Sequence, residues 1–127
     1  MLTSMNAIAT IGVKNLEAAK KFYGDKLGLK PVTSSHEEMS QLYSSGNATI
    51  SLYESEFAGS NKATALSWEV GDKLKEEVKA LQSKGIKFEH YDMPEAKMDG
   101  DIHVMGDVEA AWFKDPDGNI LCLSNTH

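Results

Sequence analysis

The sequence predicts an α+β fold made of two βαβββ modules, and three observations carry that prediction: a repeat, a period that switches, and turn chemistry at matching places. A shift of 57 residues lays Val13-Lys14-Asn15 on Val70-Gly71-Asp72 and Gly28-Leu29-Lys30 on Gly85-Ile86-Lys87. Within each copy, alternating apolar residues give way to apolar residues spaced by three and four, which is the change from strand to helix. Each copy then closes on a Gly/Asn turn between two β-prone runs. The predicted organisation is one domain over residues 1–127, with modules 1–57 and 58–127.

Each element follows from its residues. Met5, Ala7, Ala9, Ile11 and Val13 share one face of a first strand, and Thr64, Leu66, Trp68 and Val70 share the matching face of its counterpart. Asn15 and Asp72 stand where a helix N-cap is expected, ahead of Leu16, Ala19, Phe22, Tyr23 and Leu27 in one copy and Leu74, Val78 and Leu81 in the other. Gly28 and Gly85 suit the left-handed position after a helix, and Leu29–Thr33 and Ile86–Tyr91 read as short strands. Hairpins are predicted around Ser45-Gly46-Asn47, between Met39–Ser44 and Ala48–Glu54, and around Asp115–Asn119, between Ala110–Lys114 and Ile120–Ser124. One face of these strands packs under the helices, and the other is left to curl around a space.

The copies differ in Asp92–Asp107, which carries Pro94, Gly100, Gly106, three methionines and five acids. A segment of this length and composition is a candidate lid, its methionines suited to an apolar ligand; the competing reading is a surface loop without a role.

Composition narrows the function. The chain has 127 residues, 13 basic and 19 acidic side chains and a net charge of −6, and every basic residue is lysine. Without a guanidinium to read guanine or phosphate, and with lysines diluted by carboxylates, nucleic-acid binding is disfavoured. No apolar run reaches the roughly 18 residues of a membrane span, and the opening lacks a leader pattern, so the expected setting is the cytoplasm. A single cysteine, Cys122, excludes an intramolecular disulfide and a cysteine-built zinc site.

Asn15-Leu16-Glu17-Ala18-Ala19, Phe22-Tyr23, Leu27-Gly28-Leu29 and Trp112-Phe113-Lys114-Asp115-Pro116-Asp117-Gly118-Asn119, on a duplicated βαβββ pattern, resemble the vicinal oxygen chelate superfamily. That group contains glyoxalase I, the bleomycin resistance proteins, fosfomycin resistance enzymes and extradiol dioxygenases. The resemblance implies sheets forming an incomplete mixed β-barrel around a cleft, commonly in a homodimer. It also implies, for members that do metal chemistry, a cation held by His or Glu on the first and last strands of each module. Counting along this sequence puts those positions at Ile8, Ala65, Ile50 and Cys122, and none offers a histidine or carboxylate. A divalent centre needs three or four converging N, O or S ligands, so neither a metal nor another cofactor is expected.

The remaining candidates lie on the predicted cleft wall: Ile8, Thr10, Tyr43, Ile50, Leu52, Ala65, Ser67, Trp112 and Cys122, apolar or small with a few hydroxyls, as ligand pockets are. Adjacent Trp112 and Phe113 must face opposite ways, and Trp112 is assigned to the cleft as a stacking platform, with Tyr43 opposite it. Of the four histidines, His36, His90 and His127 show no ligand spacing, while His103 could be carried over the cleft by the lid as an acid or base. Glu54 and Glu69 share the cleft parity and could receive a cation or act as acid and base. Cys122 could serve as nucleophile, but its apolar strand favours a buried structural thiol.

Two functions remain. One is a metal-independent protein that binds a neutral or cationic organic molecule. The other is a glyoxalase-like lyase or dioxygenase-type enzyme with non-standard ligands or metal-free catalysis through His103, Glu69 or Cys122. A structural module with a filled cleft is the third possibility.

Overall fold

The computed structural model describes residues 1–33 and 40–125. His36, His127 and the predicted strand start at Met39 lie outside the described residues. The chain divides into two compact units, Met1–Ser60 and Asn61–His127, and each builds one mixed sheet with helix on one side. The duplicated α+β pattern of the sequence is the observed architecture.

In the first unit β1 (Ile8–Val13) leads to α1 (Leu16–Lys20), followed by β2 (Lys30–Val32), β3 (Ser40–Ser45) and β4 (Ala48–Glu54). The sheet order is β1-β4-β3-β2, with β1 and β4 parallel and the other pairs antiparallel. Asn15 caps α1 by accepting a 2.9 Å hydrogen bond from the Ala18 N–H. The Glu54 carboxylate, arriving on β4, accepts from the Leu16 N–H at 3.2 Å, so two side chains serve the helix start, where free N–H groups and the helix dipole favour negative charge. From Lys21 to Lys26 the helix widens into a π-helical turn, closed by the Leu27 N–H on the Phe22 carbonyl. This turn carries Gly24, where a Cβ would stand 3.4 Å from the Tyr43 hydroxyl. The absent side chain therefore makes room for Tyr43, itself buried against the helix. Helix and sheet enclose Ile11, Val13, Leu16, Ala19, Phe22, Tyr23, Ile50 and Leu52.

The second unit runs β5 (Thr64–Glu69), α2 (Leu74–Ser83), β6 (Phe88–Glu89), β7 (Lys97–Asp99), β8 (Ile102–Met105), β9 (Val108–Lys114) and β10 (Ile120–Ser124). Here the sheet is β5-β10-β9-β8-β7, with β6 also paired to β9. Helix α2 packs on β9 and β10. Its core is Leu74, Val78, Leu81, Phe88, Leu121, Leu123 and Phe113, with the Phe113 ring between Trp68 (6.4 Å, stacked) and Phe88 (5.4 Å, edge-on).

Two expectations need correction. Asp72 does not cap a helix: it lies inside a 3₁₀ turn, Gly71–Lys73, and α2 begins at Leu74 with no side-chain cap. The chain enters that turn through Gly71 at φ +57°, which takes the backbone out of the capping geometry. Nor is Asp92–Asp107 a free lid. Its second half is the β7–β8 hairpin, paired Lys97↔Val104 to Asp99↔Ile102 and joined to the sheet by His103↔Ala110, Val104↔Glu109 and Met105↔Val108. Gly100 at φ +62° makes its turn, and the backbone of the two strands is engaged in the ladder.

Candidate functional site

Residues paired across neighbouring strands project to the same side of a sheet, so register sorts the candidate side chains by face. In the first unit Ala9 pairs with Ile50, and Ile11 with Leu52; on β3 the partners of Ile50 and Leu52 are Tyr43 and Gln41. That is the helix-bearing face. Ile8 pairs with Thr49, and Thr10 with Ser51, on the opposite, open face. Tyr43, Ile50 and Leu52, predicted to share a wall with Ile8 and Thr10, therefore lie on the other side of the sheet, with Ile50 and Leu52 at most 1% exposed. Glu54, paired with Val13, goes with them to the start of α1. The open face carries instead Ile8, Thr10, Leu42, Ser44, Thr49, Ser51 and Tyr53, with Ile8 50% and Tyr53 42% exposed.

A difference between the two hairpin loops explains the slip. Ser45 and Ala48 flank a two-residue turn, whereas the corresponding Asp115 and Asn119, joined by an N–H to carbonyl bond of 3.0 Å, flank three residues ending in Gly118 at φ +93°. Counting forward from Gly-Asn in both loops therefore misses by one residue, and one residue reverses the face. Register gives the equivalence directly: Thr10↔Ser51 in the first unit matches Ser67↔Cys122 in the second. The four positions that the resemblance associates with metal are thus Ile8, Ser51, Ala65 and Cys122.

On the second sheet, Ser67, Cys122 and Trp112 form a row across β5, β10 and β9 on the open face. Glu69, opposite Ser124, shares that face and is exposed. A bulge shifts the register between Ile120 and Leu121, so Thr64 joins Ala65 on this side instead of the helix face, and its hydroxyl accepts from Trp112 Nε1 at 3.1 Å. That bond sets the indole ring over the face. Ala110, two residues before Trp112, pairs with His103, which brings the histidine to the same side.

His103 is wholly buried. β6 and β8 both pair with the same edge of β9, one at Trp112–Phe113 and the other at Val108–Ala110, which leaves a notch between them. The imidazole spans it. Its Nε2 accepts a 2.9 Å hydrogen bond from the Tyr91 backbone N–H, so the neutral ring carries its proton on Nδ1. The ring stands edge-on to Trp112 at 4.9 Å and roughly parallel to Tyr91 at 6.2 Å; Tyr91 is itself edge-on to Trp112 at 5.6 Å. Nδ1 of His103 and the Tyr91 hydroxyl are buried without a hydrogen-bond partner. Each unpaired group costs about 1–3 kcal/mol. Burial, and then the nearby Glu89 carboxylate, push the Tyr91 hydroxyl above its ordinary pKa, so it keeps its proton.

Around this nest the charges are spoken for. Glu89 pairs with Lys114 at 3.5 Å, and Asp101 receives 2.6 Å contacts from both His90 and Gln82. Burial pushes the Cys122 thiol up to about 11, against the smaller opposing effects of Ser67 and the Ala111 backbone, which favours the protonated form. Neither Ile8 with Ser51 in the first unit nor Ala65 with Cys122 in the second offers a histidine or carboxylate for a divalent cation. Among the described residues no three of His, Cys, Asp or Glu come together as a metal-holding group. A hollow of about 400 Å³ lined by Gly71, Asp72, Leu74, Lys75, Glu109 and Asn125 shares no residue with the candidates.

Sequence reasoning proposed His103 but with the wrong carriage, and it missed Tyr91. Its signal was present in the spacing Glu89-His90-Tyr91 at the end of a strand beside Trp112, but the orphan hydroxyl is a three-dimensional fact.

Solved structures share this architecture. The glyoxalase family protein from Enterococcus faecalis superposes with a TM-score of 0.71 at 22% identity, covering 98% of this chain and 99% of that one. A genomically encoded fosfomycin resistance protein from Listeria monocytogenes gives 0.70 at 15% identity, covering 98% and 92%. The lactoylglutathione lyase from Agrobacterium tumefaciens gives 0.68 at 18%, covering 95% and 92%. At these identities the likeness is one of fold. Among curated proteins none matches the sequence. The family model of the Glyoxalase/Bleomycin resistance protein/Dioxygenase superfamily matches residues 5–123, nearly the whole chain, and the protein belongs to that superfamily.

Proposed function

We propose that this protein binds a small, neutral or cationic organic molecule on the open face of its second sheet and does so without a metal ion. The observation that carries the reading is the make-up of the positions that the resemblance associates with metal: Ile8 and Ser51 in the first unit, and Ala65 and Cys122 in the second, offer no His or carboxylate. The face itself has the composition of a ligand site, with Trp112, Tyr91, Cys122 and Ala65 as apolar surface and Ser67, Thr64 and His103 as sparse polar groups. An acidic chain without arginine has only lysines to meet a strong anion, which favours an uncharged or positive guest and argues against nucleic acid. A cytoplasmic homodimer is the expected form: the lone cysteine is free, and Met1, Leu2, Met5 and Ile8 leave an apolar stretch of the first unit exposed that a second copy would cover.

Three measurements test this. Metal analysis of protein purified without added metal is expected to give far less than one equivalent; stoichiometric zinc, nickel, iron or manganese overturns the metal-free reading. A thermal-shift panel of neutral and cationic organic compounds is expected to contain stabilisers, because a ligand that binds only the native state raises its stability in proportion to RT ln(1 + [L]/Kd). A broad panel without a single stabiliser overturns the binding reading. The expected light-scattering mass is that of a dimer.

A further inference from the structure

The nest formed by His103, Tyr91 and Trp112 holds two buried polar groups without a partner, Nδ1 of His103 and the Tyr91 hydroxyl. The backbone N–H of Tyr91 occupies His103 Nε2, which leaves the proton on Nδ1 pointing to no partner, and the Tyr91 hydroxyl is orphaned in the same cluster. The cross-strand neighbours of His103 are Met98 and Ala110, and the one polar atom of Trp112 is a donor already spent on Thr64. Buried polar groups in native proteins are almost always paired, so two unpaired groups on neighbouring rings of one aromatic cluster mark a place for a further polar partner.

We propose that His103 and Tyr91 are the polar end of the ligand site, donating from Nδ1–H and O–H to one acceptor group, a carbonyl or equivalent oxygen, of an uncharged flat molecule that lies against Trp112. The inference rests on the reading that this face binds a small molecule, and it narrows the guest from neutral or cationic to neutral. A cation meets the His103 Nδ1–H, a donor, where it needs an acceptor. An anion meets the acidic side chains bordering the cluster, Glu89 and Asp101, while the nearby cation Lys114 is already engaged by Glu89. Tyr91 stands on irregular backbone between β6 and β7, outside the strand ladder. The inability of the Tyr91 hydroxyl to ionise near neutral pH keeps it a donor throughout.

Three probes with one ring separate the cases: benzamide, a neutral acceptor; benzylammonium, a cation; and benzoate, an anion. Each is titrated into the protein while the Tm and the long-range ¹H–¹⁵N correlations of the histidine rings are followed. Benzamide is expected to raise the Tm and to shift the His103 Nδ1 resonance, with the other two binding at least about tenfold more weakly. Tyr91→Phe, which keeps the ring and removes only the hydroxyl, is expected to weaken benzamide about tenfold, and His103→Gln to do the same. Equal binding of all three probes, or benzamide affinity unchanged in Tyr91→Phe with the His103 resonances unmoved, overturns this inference and leaves the small-molecule reading standing. Failure of all three probes to bind while other members of the broad panel do also overturns it; failure of the whole panel overturns the reading beneath it.

Discussion

The two units begin from the same plan and diverge on their open faces. In the first, the face of β1, β4 and β3 is partly exposed, with hydroxyls of Thr10, Thr49 and Ser51 among Ile8 and Tyr53. In the second, the same plan receives the β7–β8 hairpin, which brings a wholly buried His103 against the half-buried Trp112 and Tyr91. The helix-bearing faces stay alike, because both must bury an apolar stripe of one helix against alternating side chains of a sheet. Duplication supplies the scaffold. The insertion adds a titratable and aromatic cluster on the side of the sheet away from the helix.

The sharpest way to break this picture is to substitute adjacent residues on β4. Ile50→Ala empties a fully packed site on the helix face and is expected to cost about 2–5 kcal/mol in chemical denaturation, while Ser51→Ala, one residue on and on the open face, is expected to stay within about 0.5 kcal/mol. Comparable costs at both positions would refute the register that separates the faces.

The hairpin loops give the next contrast. Asp115 is buried, and its carboxylate accepts from the Asp117 and Asn119 N–H groups at 2.9 Å each and from Asn119 Nδ2 at 2.8 Å. Asp115→Ala strands those donors and is expected to lower stability by about 2–4 kcal/mol. The first unit's turn depends on Gly46 at φ +57°, with open space where a Cβ would go, so Gly46→Ala costs only the backbone strain of about 1 kcal/mol. A loss at Asp115 no larger than that at Gly46 would mean the carboxylate network adds little.

These cases also show what the sequence could convey. Alternation on β1 and β5 and the spacing on the helices were readable because burial enforces a period, and the faces of Ile11, Val13, Leu66 and Trp68 follow from it. The face of Ile50, Leu52, Tyr43 and Glu54 was not, since parity is carried across a hairpin loop and the loops differ by one residue. Thr64 escaped through a bulge, which breaks alternation without a compositional mark. His103 was visible as a titratable residue in an unusual segment, but its burial depends on β6 and β8 sharing one edge of β9, a pairing between distant residues that no local pattern encodes.

Helix entry separates the units more gently. Asn15→Ala removes the α1 cap and is expected to cost about 1 kcal/mol, whereas Asp72→Ala, at a position that caps no helix, is expected to fall within about 0.5 kcal/mol. Thermal melts of both variants in one buffer decide it. An equal loss at Asp72 would restore the symmetric capping that the repeat suggested.

The smallest effect concerns what ties the inserted hairpin down. Asp101, at the β7–β8 turn, has its carboxyl held below the ordinary 3.8 chiefly by the hydrogen bond from His90, with Gln82 adding to it and burial opposing. A folded-state pKa below the unfolded one means the unfolded chain binds the proton more readily. The contribution is therefore present in full above the unfolded value, near 4, and is lost as pH falls through the lower folded value. His90 is largely solvent-accessible, so screening keeps the gain to about 1 kcal/mol or less. Asp101→Asn is expected to be slightly less stable than the parent at pH 6 and to converge with it in acid, as read from urea midpoints across that range. A gap that persists unchanged below the folded pKa would assign the effect to the shape of the turn instead of to the charge, and the hairpin that distinguishes the second unit would then be held by its ladder alone.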